Sequence, residues 1–156
     1  MIRPATPSDV PAILSLLREL AAYEKLSHAC IATEADFVQH LFGPTPAAEA
    51  MVAELDSHIV GYALWFRTFS TFLAKPGIYL EDLYVQPLHR NKGLGKSFLK
   101  HLARIAVERG YGRVEWSVLD WNEPSIGFYK SLGAEPLSDW TMMRLTGEKL
   151  RTFASQ

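Results

Sequence analysis

The chain has 156 residues, enough for one domain with its own core, and its 48% hydrophobic and 21% charged residues are ordinary for a globular protein. A formal net charge of -1 offers no bulk attraction to nucleic acid or to an anionic membrane, so any basic site must be local. No apolar run has the length of a membrane span and Met1-Ile-Arg-Pro-Ala-Thr6 lacks the basic and then apolar regions of a signal peptide, so a cytoplasmic protein is expected. Cys30 is the single cysteine, which rules out an internal disulfide or a CxxC site and leaves a packing or surface role as its expected one.

In chain order, a short apolar start at Ile2–Ala5 passes through Pro7, Ser8 and Asp9 into Ile13, Leu16, Leu17, Leu20 and Ala21, which are spaced for one helical face. Thr33-Glu-Ala-Asp36 has the form of a capping box and opens a short helix carrying Phe37, Val38 and Leu41, stopped by Gly43 and Pro44. Ala50–Leu55, a turn at Asp56-Ser57 and Ile59–Phe66 read as a β-hairpin, with Gly61 marking a bulge. A loop containing Pro76-Gly77 leads to a fourth strand, Ile78–Val85, apolar except for the adjacent acids Glu81 and Asp82 and the phenols. Gly93–Arg109 carries Leu94, Phe98, Leu102 and Ile105 at helical spacing, ends at Gly110 and precedes a strand at Arg113–Leu119. Asn122 caps a further helix with Pro124 in its first turn and Gly133 past its end, and Met142–Leu145 reads as a last weak strand. The expected fold is one α+β domain over residues 1–156, ordered βααβββαβαβ on a mixed, largely antiparallel central sheet flanked by helices.

The most informative stretch is Val85-Gln-Pro-Leu-His-Arg-Asn-Lys-Gly-Leu-Gly-Lys96, a strand that gives way to a glycine-containing loop running into a helix. Free backbone N–H groups and the helix's partial positive charge then point at one spot, an arrangement suited to phosphate, and Arg90, Lys92 and Lys96 add charge. A Walker loop ending at Gly95-Lys96-Ser97 would need glycine where Arg90 stands, and a dinucleotide fingerprint starting at Gly93 would need a small residue where Phe98 stands. Taken alone, the glycines are as compatible with a simple turn as with a ligand site.

Arg90-x-x-Gly93-x-Gly95 after a strand ending in Val85, together with Asn122-Glu-Pro-Ser-Ile-Gly-Phe-Tyr129, resembles the two signatures of the GNAT family of N-acetyltransferases. The likeness runs from Ile2 to about Leu145. Within that family, Tyr23-Glu24-Lys-Leu, Tyr79-Leu-Glu-Asp82, Asp120-Trp-Asn122 and Phe128-Tyr-Lys130 look most like the diamine (spermidine/spermine) acetyltransferases and their thialysine-acetylating branch. The resemblance implies acetyl-CoA as co-substrate, with Leu83, Tyr84 and Val85 along the pantetheine arm. It implies Arg90, Asn91, Lys92, Gly93, Leu94, Gly95 and Lys96 at the pyrophosphate, and Asn122, Ser125 and Tyr129 on the cofactor's other side.

Acetyl transfer to an amine needs a neutral nitrogen, a stabilised oxyanion and a proton for the leaving thiolate. An alkyl ammonium titrates near ~10.4, so a base must remove its proton at neutral pH. Glu81 is the candidate base, with Asp82 as its alternative or helper. Adjacent side chains on a regular strand face opposite sides, so both acids reach one substrate only where the strand bulges or splays. A strand-end backbone N–H such as that of Leu83 is the expected oxyanion donor, and Tyr129 is the expected acid, since a phenol titrates near an alkyl thiol. Without the spacing from Asn122, an aromatic beside Phe128 on a short helix would read as core.

The resemblance places the amine near Tyr23, Glu24, Glu81, Asp82, Glu115, Trp116, Ser117 and Trp140, an acidic set that suits a small cationic amine such as a diamine, a polyamine or a lysine-like molecule. The corner between Gly133 and Trp140 is shorter than in the diamine enzymes and carries Asp139 where they carry a glutamate-rich turn, while Val118-Leu-Asp-Trp121 leans towards the thialysine branch. The five histidines show no metal spacing, and no metal is expected. Family members of this type pair as homodimers, which is the assembly expected here, with no nucleic-acid or membrane partner. The competing readings are a protein lysine or N-terminal acetyltransferase and a non-catalytic acetyl-CoA-binding regulator. The regulator would have no use for both Glu81 and Tyr129.

Overall fold

The computed structural model describes residues 1–155. Their elements are β1 (Ile2–Pro4), α1 (Val10–Tyr23), α2 (Glu34–Phe42), β2 (Glu49–Leu55), β3 (His58–Ser70), β4 (Lys75–Val85), α3 (Leu94–Glu108), β5 (Val114–Trp116), α4 (Glu123–Ser131) and α5 (Gly147–Ala154). The five strands form one sheet in sequence order, antiparallel except for the parallel β4–β5 pair. This is the expected α+β class. Among the described residues, 1–117 and 118–155 form two compact units, and the sheet lies in the first.

The hairpin turns where the sequence predicts, because Asp56 and Ser57 both take positive φ (49° and 61°), the pair of left-handed residues a two-residue turn needs. Ala53 faces Gly61 while Glu54 faces Ile59, so the extra residue of the expected bulge is Val60, beside the glycine. Gly61 serves a different purpose: a Cβ there would lie 2.7 Å from the Tyr84 carbonyl oxygen. Pro76 and Gly77, expected in a loop, instead pair with Phe69 and Thr68, so β3 and β4 run longer than the proline-glycine signal suggests.

Past the bulge at Val60, even-numbered residues of central β3 face α1, as Tyr62 and Leu64 do. Tyr62 packs with Ile13, Leu16 and Leu20 from that helix and with Val52 and Tyr84 from the neighbouring strands. Odd-numbered positions face α3, where a Cβ on Gly61 would meet Phe98. α1 is fixed at its start by Asp9, which is buried and accepts from the two terminal guanidinium nitrogens of Arg3 at 2.7 and 2.9 Å and from the Thr6 N–H at 2.8 Å. These bonds, Arg3 first, hold the Asp9 carboxyl down at about 2. α2 begins with the expected capping box: Thr33 Oγ1 accepts from the Asp36 N–H at 3.2 Å, and the Thr33 N–H donates to Asp36 Oδ2 at 2.9 Å.

In the second unit α4 carries the expected cap, Asn122 Oδ1 accepting from the Ser125 N–H at 3.4 Å. The weak strand expected at Met142–Leu145 is not formed: that stretch has no regular structure, and the chain ends in α5 instead. Leu150 and Phe153 stand three residues apart, one helical face, and that spacing is the local reason for a helix there. Among the described residues no helix is long and apolar enough to cross a membrane.

Candidate active site

The site begins with a fault in the β3–β4 register. Ala63 pairs with Leu83 and Leu64 with Asp82, but Trp65 pairs with Leu80, so Glu81 is an extra residue on β4. A bulge turns two consecutive side chains towards the same face. Both acids accordingly line one open cavity of about 420 Å³, lined also by Leu17, Leu20, Ala21 and Glu24 from α1 and its end, and by Leu26 and Ala29–Ala32 of the following segment. The parallel β4–β5 pairing covers only Ile78–Leu80 and stops where the bulge begins. Beyond it, among the described residues, no strand pairs with the outer edge of Leu83–Val85.

The cavity is electrostatically graded. Asp82 is half-buried, and loss of water pushes its carboxyl up to about 6, helped by the neighbouring charges of Glu81 and Glu24 and opposed by a hydrogen bond from the Tyr62 hydroxyl at 3.1 Å. Burial likewise raises the Glu24 carboxyl. The phenol of Tyr62 is pushed up by burial first and then by Asp82, so it stays a neutral donor. A carboxylate poised near neutrality beside an unpaired strand edge, with a fixed donor holding it, is an arrangement that can take a proton from a cationic amine.

The glycine loop is the second part. After Val85 the chain makes a single 3-10 turn at Pro87–His89 and reaches α3 through Asn91 and Gly93, both with positive φ (58° and 81°). Gly93 is the N-cap of α3 and carries no side chain to accept from the first N–H groups of that helix. Asn91, Lys92, Gly93 and Lys96 are exposed, with Leu94 and Gly95 half-buried behind them. Such a turn presents amide protons and the helix's positive end to an anion.

Of the residues expected around the amine, Glu24, Glu81 and Asp82 line the cavity. Tyr23 instead packs on Arg90, 5.2 Å from guanidinium to ring centre. Glu115 accepts from Arg113 at 2.7 Å, and Ser117 bonds the Tyr79 hydroxyl at 2.6 Å, both on the β5 side of β4. Trp116 is half-buried opposite Leu80. In the second unit, Trp140 is exposed, Asn122 is buried, Ser125 is half-buried, and half-buried Tyr129 lies against Phe128 with ring centres 5.4 Å apart. Sequence reading did not find Cys30 or its apolar neighbours on the cavity wall, nor Tyr62, which lies outside the lining and reaches the site through its hydrogen bond to Asp82.

The fold is that of a known family. The acetyltransferase (GNAT) family profile matches residues 14–134. The chain therefore belongs to the GNAT acetyltransferase family and is an N-acetyltransferase. A thialysine N-epsilon-acetyltransferase of Bos taurus is 38% identical over 167 residues, spanning 100% of this chain and 98% of the relative. An L-ornithine N5-acetyltransferase of Arabidopsis thaliana is 33% identical, spanning 97% of this chain and 86% of the relative. Among solved structures, an integron cassette protein from V. cholerae superposes with a TM-score of 0.84 at 26% identity, covering 100% of this chain and 98% of the other.

Proposed function

We propose that this enzyme transfers the acetyl group of acetyl-CoA to the primary amine of a small cationic metabolite by direct attack. The observation that carries the proposal is the bulge at Glu81, which turns Glu81 and Asp82 into one cavity with Glu24 beside an unpaired strand edge. In this reading the pyrophosphate lies on the amides of residues 91–96 at the start of α3, and the pantetheine arm runs along Leu83–Val85. The relatives' named substrates, thialysine and ornithine, are small amines of the proposed kind.

The chemistry follows from the groups present. The incoming ammonium lodges among the carboxylates and loses a proton to one of the adjacent acids; the sequence puts Glu81 first as base and Asp82 second, and the raised Asp82 carboxyl favours reversing that order. The neutral nitrogen attacks the thioester carbon, forming the C–N bond. The carbonyl electron pair moves to oxygen, where a strand-edge N–H such as that of Leu83 stabilises it. Collapse of that intermediate breaks the C–S bond, and Tyr129 supplies the proton that converts the thiolate to free coenzyme A. Glu24 holds a second cationic group of the acceptor. We further propose a cytoplasmic homodimer that needs no metal.

Thiol release from acetyl-CoA, measured across spermidine, spermine, putrescine, thialysine, lysine, ornithine and lysine-containing peptides, tests the proposal. Turnover of at least one small diamine or lysine analogue is expected. Turnover confined to the peptides, or none at all, would sink it.

A further inference from the structure

Arg90 opens the glycine loop, yet its side chain turns back from it. The Nε–H donates to the Val85 carbonyl at 2.8 Å, and the guanidinium carbon lies 5.2 Å from the centre of the Tyr23 ring and 5.3 Å from that of Tyr84. Tyr84 is itself anchored: its hydroxyl donates to one Glu19 carboxylate oxygen at 3.1 Å, while Gln86 Nε2 donates to the other at 3.0 Å. Glu19 and Tyr23 stand one turn apart on α1, and Glu24, a cavity wall, follows Tyr23 directly. The end of β4 and the start of the loop are thus tied twice to the last turn of α1, once by a shared carboxylate and once by a cation between two rings.

We infer that Arg90 is a positioning residue: its guanidinium, held between Tyr23 and Tyr84, couples the loop that receives the diphosphate to the Glu24 wall of the acceptor cavity. The inference rests on the proposed acetyl-CoA and amine sites and adds a link between them. A planar guanidinium can lie flat on rings while its Nε–H donates in plane, whereas a lysine ammonium keeps the charge but loses that geometry. Coupling between two binding sites is reciprocal, so a ligand that orders residues 91–96 tightens amine binding, and the amine tightens the ligand.

The test uses the whole chain and two readouts. Isothermal titration of coenzyme A is compared with the KM of an amine that the wild type acetylates, for Arg90→Lys, Arg90→Ala, Tyr23→Leu and the Tyr23→Leu/Arg90→Ala pair. Both Arg90 variants and Tyr23→Leu are expected to raise the amine KM about three- to tenfold while changing the coenzyme A Kd less than about twofold, with the double variant no worse than the poorer single one. A tenfold or greater loss of coenzyme A affinity in Arg90→Ala that Arg90→Lys restores would make Arg90 a phosphate ligand and overturn the inference, as would additive effects in the pair. Hydrogen exchange supplies the second readout and needs no turnover: coenzyme A is expected to slow the amides of Glu19–Glu24 in the wild type and not in Arg90→Ala. If that slowing is seen while no amine is acetylated, the coupling stands and the proposed acceptor fails. If it is absent from the wild type, the coupling fails whatever the activity.

Discussion

The Tyr62 hydroxyl donates to the Asp82 carboxylate at 3.1 Å, reaching diagonally from the middle of β3 to the bulge of β4. Tyr62 is fully buried in the α1-facing core, so this bond ties a cavity carboxylate to the packed centre of the sheet. The same residue therefore serves packing and chemistry.

Gly61 is the backbone counterpart of that arrangement. A methyl group there would meet the Tyr84 carbonyl oxygen at 2.7 Å and Val85 at 3.2 Å, and a paired strand cannot withdraw. Gly61→Ala is expected to lose about 1–3 kcal/mol of stability by overpacking, read as a lower midpoint in denaturant unfolding. An unchanged midpoint would show that β4 shifts freely.

Gly93 has open space around its Cα, so its requirement is conformational: φ is +81°. Gly93→Val should cost on the order of 1–2 kcal/mol as a β-branched residue in the left-handed region, and should weaken coenzyme A binding by disturbing the first amides of α3. Thermal unfolding and titration with coenzyme A check the two effects separately.

Asp9 governs acid stability. Its carboxyl is held at about 2 in the fold against an ordinary 3.8, so its contribution is fully present above pH 3.8 and is lost as the pH falls towards 2. Roughly 2 kcal/mol is at stake by that linkage, and Asp9→Asn should lose a comparable amount at pH 7 while flattening the acid limb of the stability curve. Urea unfolding between pH 2 and pH 7 reads both.

Sequence carried the main elements because their signals are local: capping at Thr33, left-handed turn residues at Asp56-Ser57, and the apolar stripe through Ile13, Leu16 and Leu20. It also carried the condition on the site, since two adjacent acids flanked by apolar residues can share a cavity only across an irregular strand. Where that irregularity falls, at Glu81 itself, depends on how β3 pairs with β4, a long-range matter. Pro76-Gly77 misled because a turn signal yields to strand pairing when the partner strand is already in place. The last strand misled because four apolar-rich residues, Met142–Leu145, specify little without a neighbour to pair with. The Tyr62–Asp82 bond and the contact of Arg90 with Tyr23 were illegible for the same reason, being contacts between residues 20 or more positions apart.

The account turns on Asp82 as a carboxylate poised near pH 6 to accept the amine's proton, and the pH dependence of kcat/KM in the wild type and in Asp82→Asn tests it most directly. In the wild type the rate should fall below about pH 6 as Asp82 gains its proton. Asp82→Asn should lose roughly 10²–10⁴-fold in rate together with that limb. It should keep its stability at pH 8, because the neutral amide avoids the cost of a buried charge. An Asp82→Asn enzyme that keeps the wild-type rate and the same acid limb would contradict the account and pass the proton to Glu81 or to another group.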